Sequence, residues 1–207
     1  MNIHVSGGVQ AKGRIIVRGY RAGAINAVKP IAAKLMEWQH QLRKAGRDGY
    51  EIRKFLAPLK QEVDHILESY SLGIESTTDN LIMTGSLTGR DLLVQYLING
   101  TTYAGGINYG ALGTGSTTPA AGDTQLTTES ARAVPSIAND VSNNEAQFQF
   151  YFPDANLSNA TYKEAGSFMN GTASANTGKL FNHALLGSNY TKTAGTDTTL
   201  EIDITFT

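Results

Sequence analysis

No cysteine occurs in the 207 residues. That excludes disulfides, thiolate metal sites and cysteine nucleophiles. Net charge is almost absent too, at -1, so the overall balance points neither to nucleic acid nor to an anionic membrane. The longest apolar run, LLVQYLI, is far short of a membrane span. The opening MNIHVSGGVQAKG lacks the charged start and apolar core of a signal peptide. The Asn-x-Ser/Thr sequons at Asn99, Asn156, Asn159, Asn170 and Asn189 therefore read as heavy use of Asn and Thr rather than as glycosylation sites.

The length suits one domain with an appendage, and a hydrophobic fraction of 41% is enough for a core. Charge is unevenly spread. Residues 1–100 carry 13 Lys/Arg and 9 Asp/Glu, whereas residues 101–207 carry 4 and 9. The two halves differ in kind: a helical half and a Thr/Asn-rich half with different habits account for the imbalance, and complementary ends that favour head-to-tail contacts are the alternative reading.

GRIIVRGYRAG reads as a strand from Arg14 to about Tyr20. Two heptad seams follow. Val28, Ile31, Leu35, Trp38, Leu42 and Ala45 form the first, and Ile52, Leu56, Leu59, Val63, Ile66 and Tyr70 the second. The connection GRDG, residues 46–49, has two helix-breaking glycines and an Asp able to cap the second helix. Seams joined so closely predict an antiparallel two-helix coiled-coil hairpin on the order of 25 Å long. Pro30 suits the first turn of helix one, whereas Pro58 should bend or break helix two near Lys54.

Residues 71–83 return to an extended pattern, so the helical arm replaces the turn of a β-hairpin. TGRDLLVQYLING predicts a short helix opened by Thr88, carrying Leu92, Leu93, Tyr96 and Leu97 and closed by Asn99-Gly100. From Ile107 onward the chain reads as β. EAQFQFYF sets Ala146, Phe148, Phe150 and Phe152 against Gln147, Gln149 and Tyr151. LEIDITFT sets Leu200, Ile202, Ile204 and Phe206 against Glu201, Asp203 and Thr205. Such alternation predicts antiparallel sheets with one wet face. TYKEAGSFM and KLFNHALL are weaker strands joined by the polar loop NGTASANTG. The fold class expected is α+β: an antiparallel, jelly-roll-like β-sandwich from residues 1–25 and 71–207, with residues 26–70 inserted as the helical arm.

The motifs for chemistry fail on spacing. NYGALGTGSTTPAAGDTQL, residues 108–126, is rich in glycine, but no periodic helix follows to meet a pyrophosphate. GTASANTGK spaces its glycines too widely for a phosphate loop, and Leu180 stands where Ser or Thr must hold magnesium. His4, His40, His65 and His183 never occur at metal-ligand spacing, and His183, alone in a strand, reads as structural. Ser86 lies next to Gly85 rather than centrally between glycines, unlike a nucleophile elbow. No catalytic residue, cofactor or metal is expected, although a carboxylate-pair hydrolase stays open because one sequence cannot show which carboxylates converge. A nucleic-acid surface is not expected on an acidic β half.

INYGALGTGSTTPAAGDTQLTTESAR resembles a signature of bacteriophage structural proteins, in which an aromatic residue, ALGTG, a Thr/Pro/Ala spacer and DT-L recur. DNLIMTGSLTGRDLLVQYLING is similar to the segment preceding it in those proteins, and KLFNHALLGSNYTKTAGTDTTLEIDITFT to their closing strands. The resemblance covers roughly residues 76–207 and excludes the helical arm. It implies a structural component of the virion, in tail, baseplate, neck or fibre, assembled in the host bacterial cytoplasm. Its partners would be copies of itself and other virion proteins. Physically, Gly113 and Gly115 then serve a sharp turn, Asp123 folds the spacer through bonds to the backbone, and Leu126 plugs the core. Met36, Phe55 and Leu67 lie off the helical seams, and Arg43, Lys44 and Arg47 cluster at the arm's tip. These six are the expected assembly contacts. The alternatives are a capsid decoration protein and a module that binds or cleaves carbohydrate, a host-surface glycan, through Tyr151, Tyr162 and Tyr190.

Overall fold

A computed structural model describes residues 11–84, 88–97 and 105–207. In chain order the elements are β1 (Ala11–Arg21), α1 (Ala24–Lys44), α2 (Gly49–Tyr70), β2 (Ser71–Ile82), α3 (Gly89–Leu97), β3 (Ile107–Gly113), β4 (Glu129–Ala133) and β5 (Pro135–Ser142). Then come β6 (Glu145–Phe152), a 3-10 turn at Asp154–Asn156, β7 (Ala160–Met169), β8 (Lys179–Lys192) and β9 (Thr196–Phe206).

The strands form one hydrogen-bonded series, β4-β3-β7-β8-β2-β1-β9-β6-β5, and the pairings described are all antiparallel. β4 and β5 stand at opposite ends of that series, yet only Val134 separates them in the chain. The series must therefore curl until its ends approach. Its inner face is one apolar cluster. Ile15, Val17, Phe150, Phe152, Leu200 and Ile202 from β1, β6 and β9 meet Leu112, Ala165, Phe181 and Ala184 from β3, β7 and β8. Gly110 sits where a Cβ would fall 2.4 Å from the Phe150 ring, so only glycine lets the two faces close there. β1 pairs with β2 from Gly13↔Asn80 to Tyr20↔Ser71, so α1 and α2 do stand where a hairpin turn would be.

The two helices double back at the predicted connection. Gly46 takes a left-handed φ of 75°, and Asp48 accepts from Glu51 N at 2.8 Å, capping α2. The deepest burial is shifted from the heptad seams, however. Ile25, Val28, Ala32, Leu35 and Gln39 on α1, with Ile52, Leu56, Val63 and Leu67 on α2, are buried. They share a cluster with Tyr20, Ile137 and Tyr151 of the sheet. The seam residues Ile31, Trp38, Leu42, Leu59, Ile66 and Tyr70 are only partly buried. Each helix thus has two apolar edges, one toward its partner and one down onto β1, β5 and β6.

α1 starts at Ala24, ahead of the sequence expectation, so Pro30 lies in its second turn rather than its first. The helix has no side-chain cap of its own. Asp197 of β9 supplies one, accepting from Gly23 N and Ile25 N at 3.0 Å each. Pro58 does not break α2, which is continuous from Gly49 to Tyr70. Pro58 and Lys54 are exposed, so the carbonyl that the proline leaves unbonded faces water.

The expected wet face of β6 and β9 is not wet. Gln147, Gln149, Glu201 and Asp203 are all less than a tenth exposed. Helices laid across this face, and the long arms of Arg14 and Arg18, cover it. Arg14 grips Asp203 at 2.8 Å and Gln147 donates to it at 3.1 Å. Gln149 donates to Glu201 at 2.7 Å, and Tyr151 donates to Gln149 at 3.2 Å.

Leu35, fully buried between α1, α2 and β5, tests this seating. Leu35→Asp is expected to cost about 2–4 kcal/mol, read from the urea midpoint at unchanged slope.

Candidate functional site

The glycine-rich segment expected to be a structural turn wraps around a buried carboxylate. Glu164, midway along β7, has no exposed surface. Its Oε1 accepts from Gly115 N at 3.0 Å and Thr128 N at 2.7 Å, and its Oε2 accepts from Thr127 N at 3.0 Å. Three backbone donors from one loop converge on one side chain. The approach needs glycine. A Cβ on Gly113 or Gly115 would fall 2.6 and 2.4 Å from Glu164 Oε1. Thr114 N bonds Thr128 O at 2.9 Å, closing the loop on itself. Leu126 then drops into a pocket of Met83, Ala111, Phe168 and Leu180, where it is 1% exposed.

His183 completes the clamp. Nε2 lies 2.9 Å from Glu164 Oε2 and Nδ1 2.9 Å from Asp123 Oδ2, with the ring 1% exposed. Asp123 Oδ2 also accepts from Ala120 N at 2.9 Å, which folds the Thr/Pro/Ala spacer as expected. Burial alone would lower the His183 pKa, but hydrogen bonds and charge from Glu164 and Asp123 outweigh it, and the net shift is upward. Burial would raise that of Glu164, but His183, Thr128 and Thr127 hold it below the usual carboxylate range. The ring thus stands between two carboxylates with both of its nitrogens engaged, and it ties the loop to β7 and β8.

Arg132 latches the second glycine-bearing loop, residues 170–178. Its Nη1 donates to Thr172 O and Thr177 O at 3.0 Å, while its other edge pairs with buried Glu129 at 2.5 Å and the plane lies over Phe168 at 4.6 Å. Gly171 trades two backbone bonds with the Asn108 amide. The loop that failed as a phosphate motif is thus filled by the protein's own arginine.

A third cluster sits at the end of the β7–β8 ladder. Lys192, 2% exposed, donates to Asp154 Oδ1 at 2.5 Å and Asn159 Oδ1 at 2.9 Å. Between α2 and the polar face of β1, β6 and β9 lies a cleft of about 520 Å³. Arg18, Glu75, Gln147, Gln149, Glu201, Lys60 and Asp64 line it. Arg18 bridges Glu75 at 2.9 Å and Glu201 at 3.4 Å, and its bond holds Glu75 below the usual carboxylate range.

The six expected assembly residues are not brought together. Leu67 is buried against the chain's own sheet, and half-buried Met36 reaches β5, its sulfur 3.2 Å from Ala138 N. Phe55 stays 53% exposed, its ring tilted at 49° to that of Trp38 with centroids 5.3 Å apart, and Tyr50 lies beside it at 66%. Arg43, Lys44 and Arg47 are exposed. The acidic β half offers them little. Glu164, Asp197, Glu201 and Asp203 are buried, Asp123, Glu129 and Asp154 hold His183, Arg132 and Lys192, and Asp140 holds Arg53 at 2.8 Å. Tyr151, Tyr162 and Tyr190, candidates for stacking on sugar, are all 7% exposed or less. Tyr190, buried and pushed up to about 12, is held by Thr198 at 2.8 Å. His40 and His65 are exposed on the helices. His4, Ser86 and the Asn99-Gly100 stop signal lie outside the described residues. Among the described residues, no cluster of three or more His, Asp or Glu could hold a metal ion.

Sequence reasoning named Asp123, Gly113, Gly115 and Leu126 in this loop but missed Glu164. Spacing gave no signal for it, because the β7 register shifts between Tyr162 and Glu164, so that Tyr162 joins the main core with Ala165 while Phe168 joins the smaller cluster around Leu126.

Neither a protein-family model, nor a curated protein, nor a solved structure matches this chain.

Glu164→Gln keeps the shape but turns an amide donor toward backbone donors, and is expected to cost about 3 kcal/mol in a denaturant titration. The clamp also predicts a pH window. Glu164 titrates below its ordinary 4.5, so its contribution is complete above that value and fades as pH falls through the lowered folded value. His183 titrates above its ordinary 6.5, so its contribution is complete below that value and fades as pH rises through the raised one. Both are whole between 4.5 and 6.5, where the melting-temperature gap between wild type and His183→Asn should be widest.

Proposed function

We propose that this chain is a non-enzymatic structural protein of a bacteriophage virion. In this reading its strands form a two-layered, jelly-roll-like sandwich, with α1 and α2 as an antiparallel coiled-coil pair laid along one layer. It assembles with copies of itself and with other virion proteins at the tail, baseplate or neck; a capsid decoration protein is the alternative position. The observation that carries the reading is the use of the ALGTG…DT-L segment. Its glycines, its Asp and its Leu are consumed by Glu164, His183 and the Met83/Phe168 pocket. A motif shared for its fold, rather than for a reaction, is what a family of scaffold proteins would keep.

The surface left for a neighbour is narrower than the sequence suggested. It centres on Tyr50 and Phe55 with Arg43, Lys44 and Arg47 around the helix connection. A second reading, carbohydrate binding, is favoured by one observation, the polar cleft beneath α2, whose amides and carboxylates suit a polyhydroxylated ligand. A glycan array on the purified protein separates the two.

The test of the first reading is mass spectrometry of gradient-purified particles from the parent phage. Peptides of this chain should co-sediment at fixed copy number, and their absence from intact particles ends the proposal. In the particle, Tyr50→Asp with Phe55→Asp should lower incorporation several-fold. Both side chains are exposed, so stability should change by no more than about 0.5 kcal/mol per site.

A further inference from the structure

Lys192 ends β8, and its side chain is withdrawn from solvent. Its Nζ has three oxygen neighbours: Asp154 Oδ1 at 2.5 Å, Asn159 Oδ1 at 2.9 Å and Thr193 O at 3.4 Å. An ammonium only donates, so the Asn159 amide turns its carbonyl oxygen to Nζ, and the carbonyl carbon is one bond beyond. Both partners are held by backbone. Asn159 immediately precedes β7, and the ladder pairs Ala160 with Lys192. Asp154 is fixed at both ends, its Oδ2 accepting from Gly195 N at 3.0 Å and its own N donating to Asp197 Oδ1 at 2.8 Å. An amine, an amide carbonyl and a carboxylate touching that amine are the parts of an acyl transfer, already positioned.

We propose that Lys192 and Asn159 join in an intramolecular isopeptide bond, with Asp154 relaying the protons. Asp154 takes a proton from the Lys192 ammonium, and the freed Nζ lone pair attacks Asn159 Cγ. The tetrahedral carbon collapses by breaking its bond to Nδ2. Asp154 passes the lysine's protons to that nitrogen and returns to carboxylate, so two lysine protons and the NH2 group leave together as ammonium. No oxidant, metal or co-reactant takes part. The reaction runs once per chain. It ties the open end of the β7–β8 hairpin, whose other end is the loop latched by Arg132, as a disulfide would in a chain that had cysteine. It stands independently of the virion reading.

Intact-mass measurement on the purified, folded full chain, held at neutral pH and then denatured, tests it. The expected mass is lower than the linear chain by one ammonia, and proteolysis should release a branched peptide joining the segments around Asn159 and Lys192. Lys192→Arg keeps a cation on Asp154 and Asn159→Ala keeps the ladder. Both should show the linear mass while giving the wild-type circular dichroism spectrum, and should melt at lower temperature. Asp154→Asn should slow bond formation by at least tenfold. A folded wild-type chain at linear mass overturns the proposal, as does ammonia loss that maps to Asn170-Gly171 rather than to the branched peptide. Cross-linking of Asp154→Asn at the wild-type rate removes Asp154 from the mechanism.

Discussion

A carboxylate without water has to find donors, and the β half of this protein is arranged around that requirement. Glu164 could not stay ionised inside β7 unless several N–H groups reached it. The segment between β3 and β4 supplies three of them, and His183 a fourth. The consequences spread outward. Glycine is needed at positions 113 and 115, Asp123 is drawn in to hold the far side of the imidazole, and Leu126 is set down over the small cluster beside α3. The long connection from β3 to β4 is therefore a solvation shell built from backbone, and its composition follows from the charge it encloses.

The same logic recurs at a larger scale. The acidic half of the chain might have been a surface that attracts cations from elsewhere, but nearly all of its carboxylates are spent internally. Asp203 and Glu201 answer Arg14 and Arg18 across neighbouring strands. Asp197 caps a helix, Glu129 holds Arg132, and Asp154 holds Lys192. A net charge computed over a segment says how many charges it has, not how many it shows.

Periodicity made the elements legible, and distance along the chain set the limit. The seams through Val28 and Leu35 and through Ile52 and Leu56 place two helices and their turn correctly, because spacing of three and four residues is a local property. Alternation in Phe150, Phe152, Leu200 and Ile202 likewise finds the core face of β6 and β9. Burial of Gln147, Gln149 and Glu201 was not legible, because what covers them is α2 and the arms of Arg14 and Arg18, all distant in the chain. Leu67 and Met36 look surplus when each helix is read alone, and only the sheet beneath them shows where they go. The start of α1 was misplaced for the same reason, its cap being on another strand. Within the clamp, Asp123 of the β3–β4 connection could be read from its turn chemistry, whereas Glu164 of β7 is intelligible only once its donors, 36 to 49 residues earlier, are known.

That borrowed cap has a kinetic meaning. The Asp197 carboxylate and the Ile25 amide that it satisfies are 172 residues apart, and β9 is also the strand between β1 and β6. On the ribosome, α1 and α2 emerge before β9, with the start of α1 still lacking its cap and no complete sheet to lie on. The central strand of that sheet arrives last, so the nascent chain waits with an apolar helix pair uncovered. Closure is a late, non-local event of the kind that folds slowly. A chain stopped short of β9 would lack its middle rather than its edge.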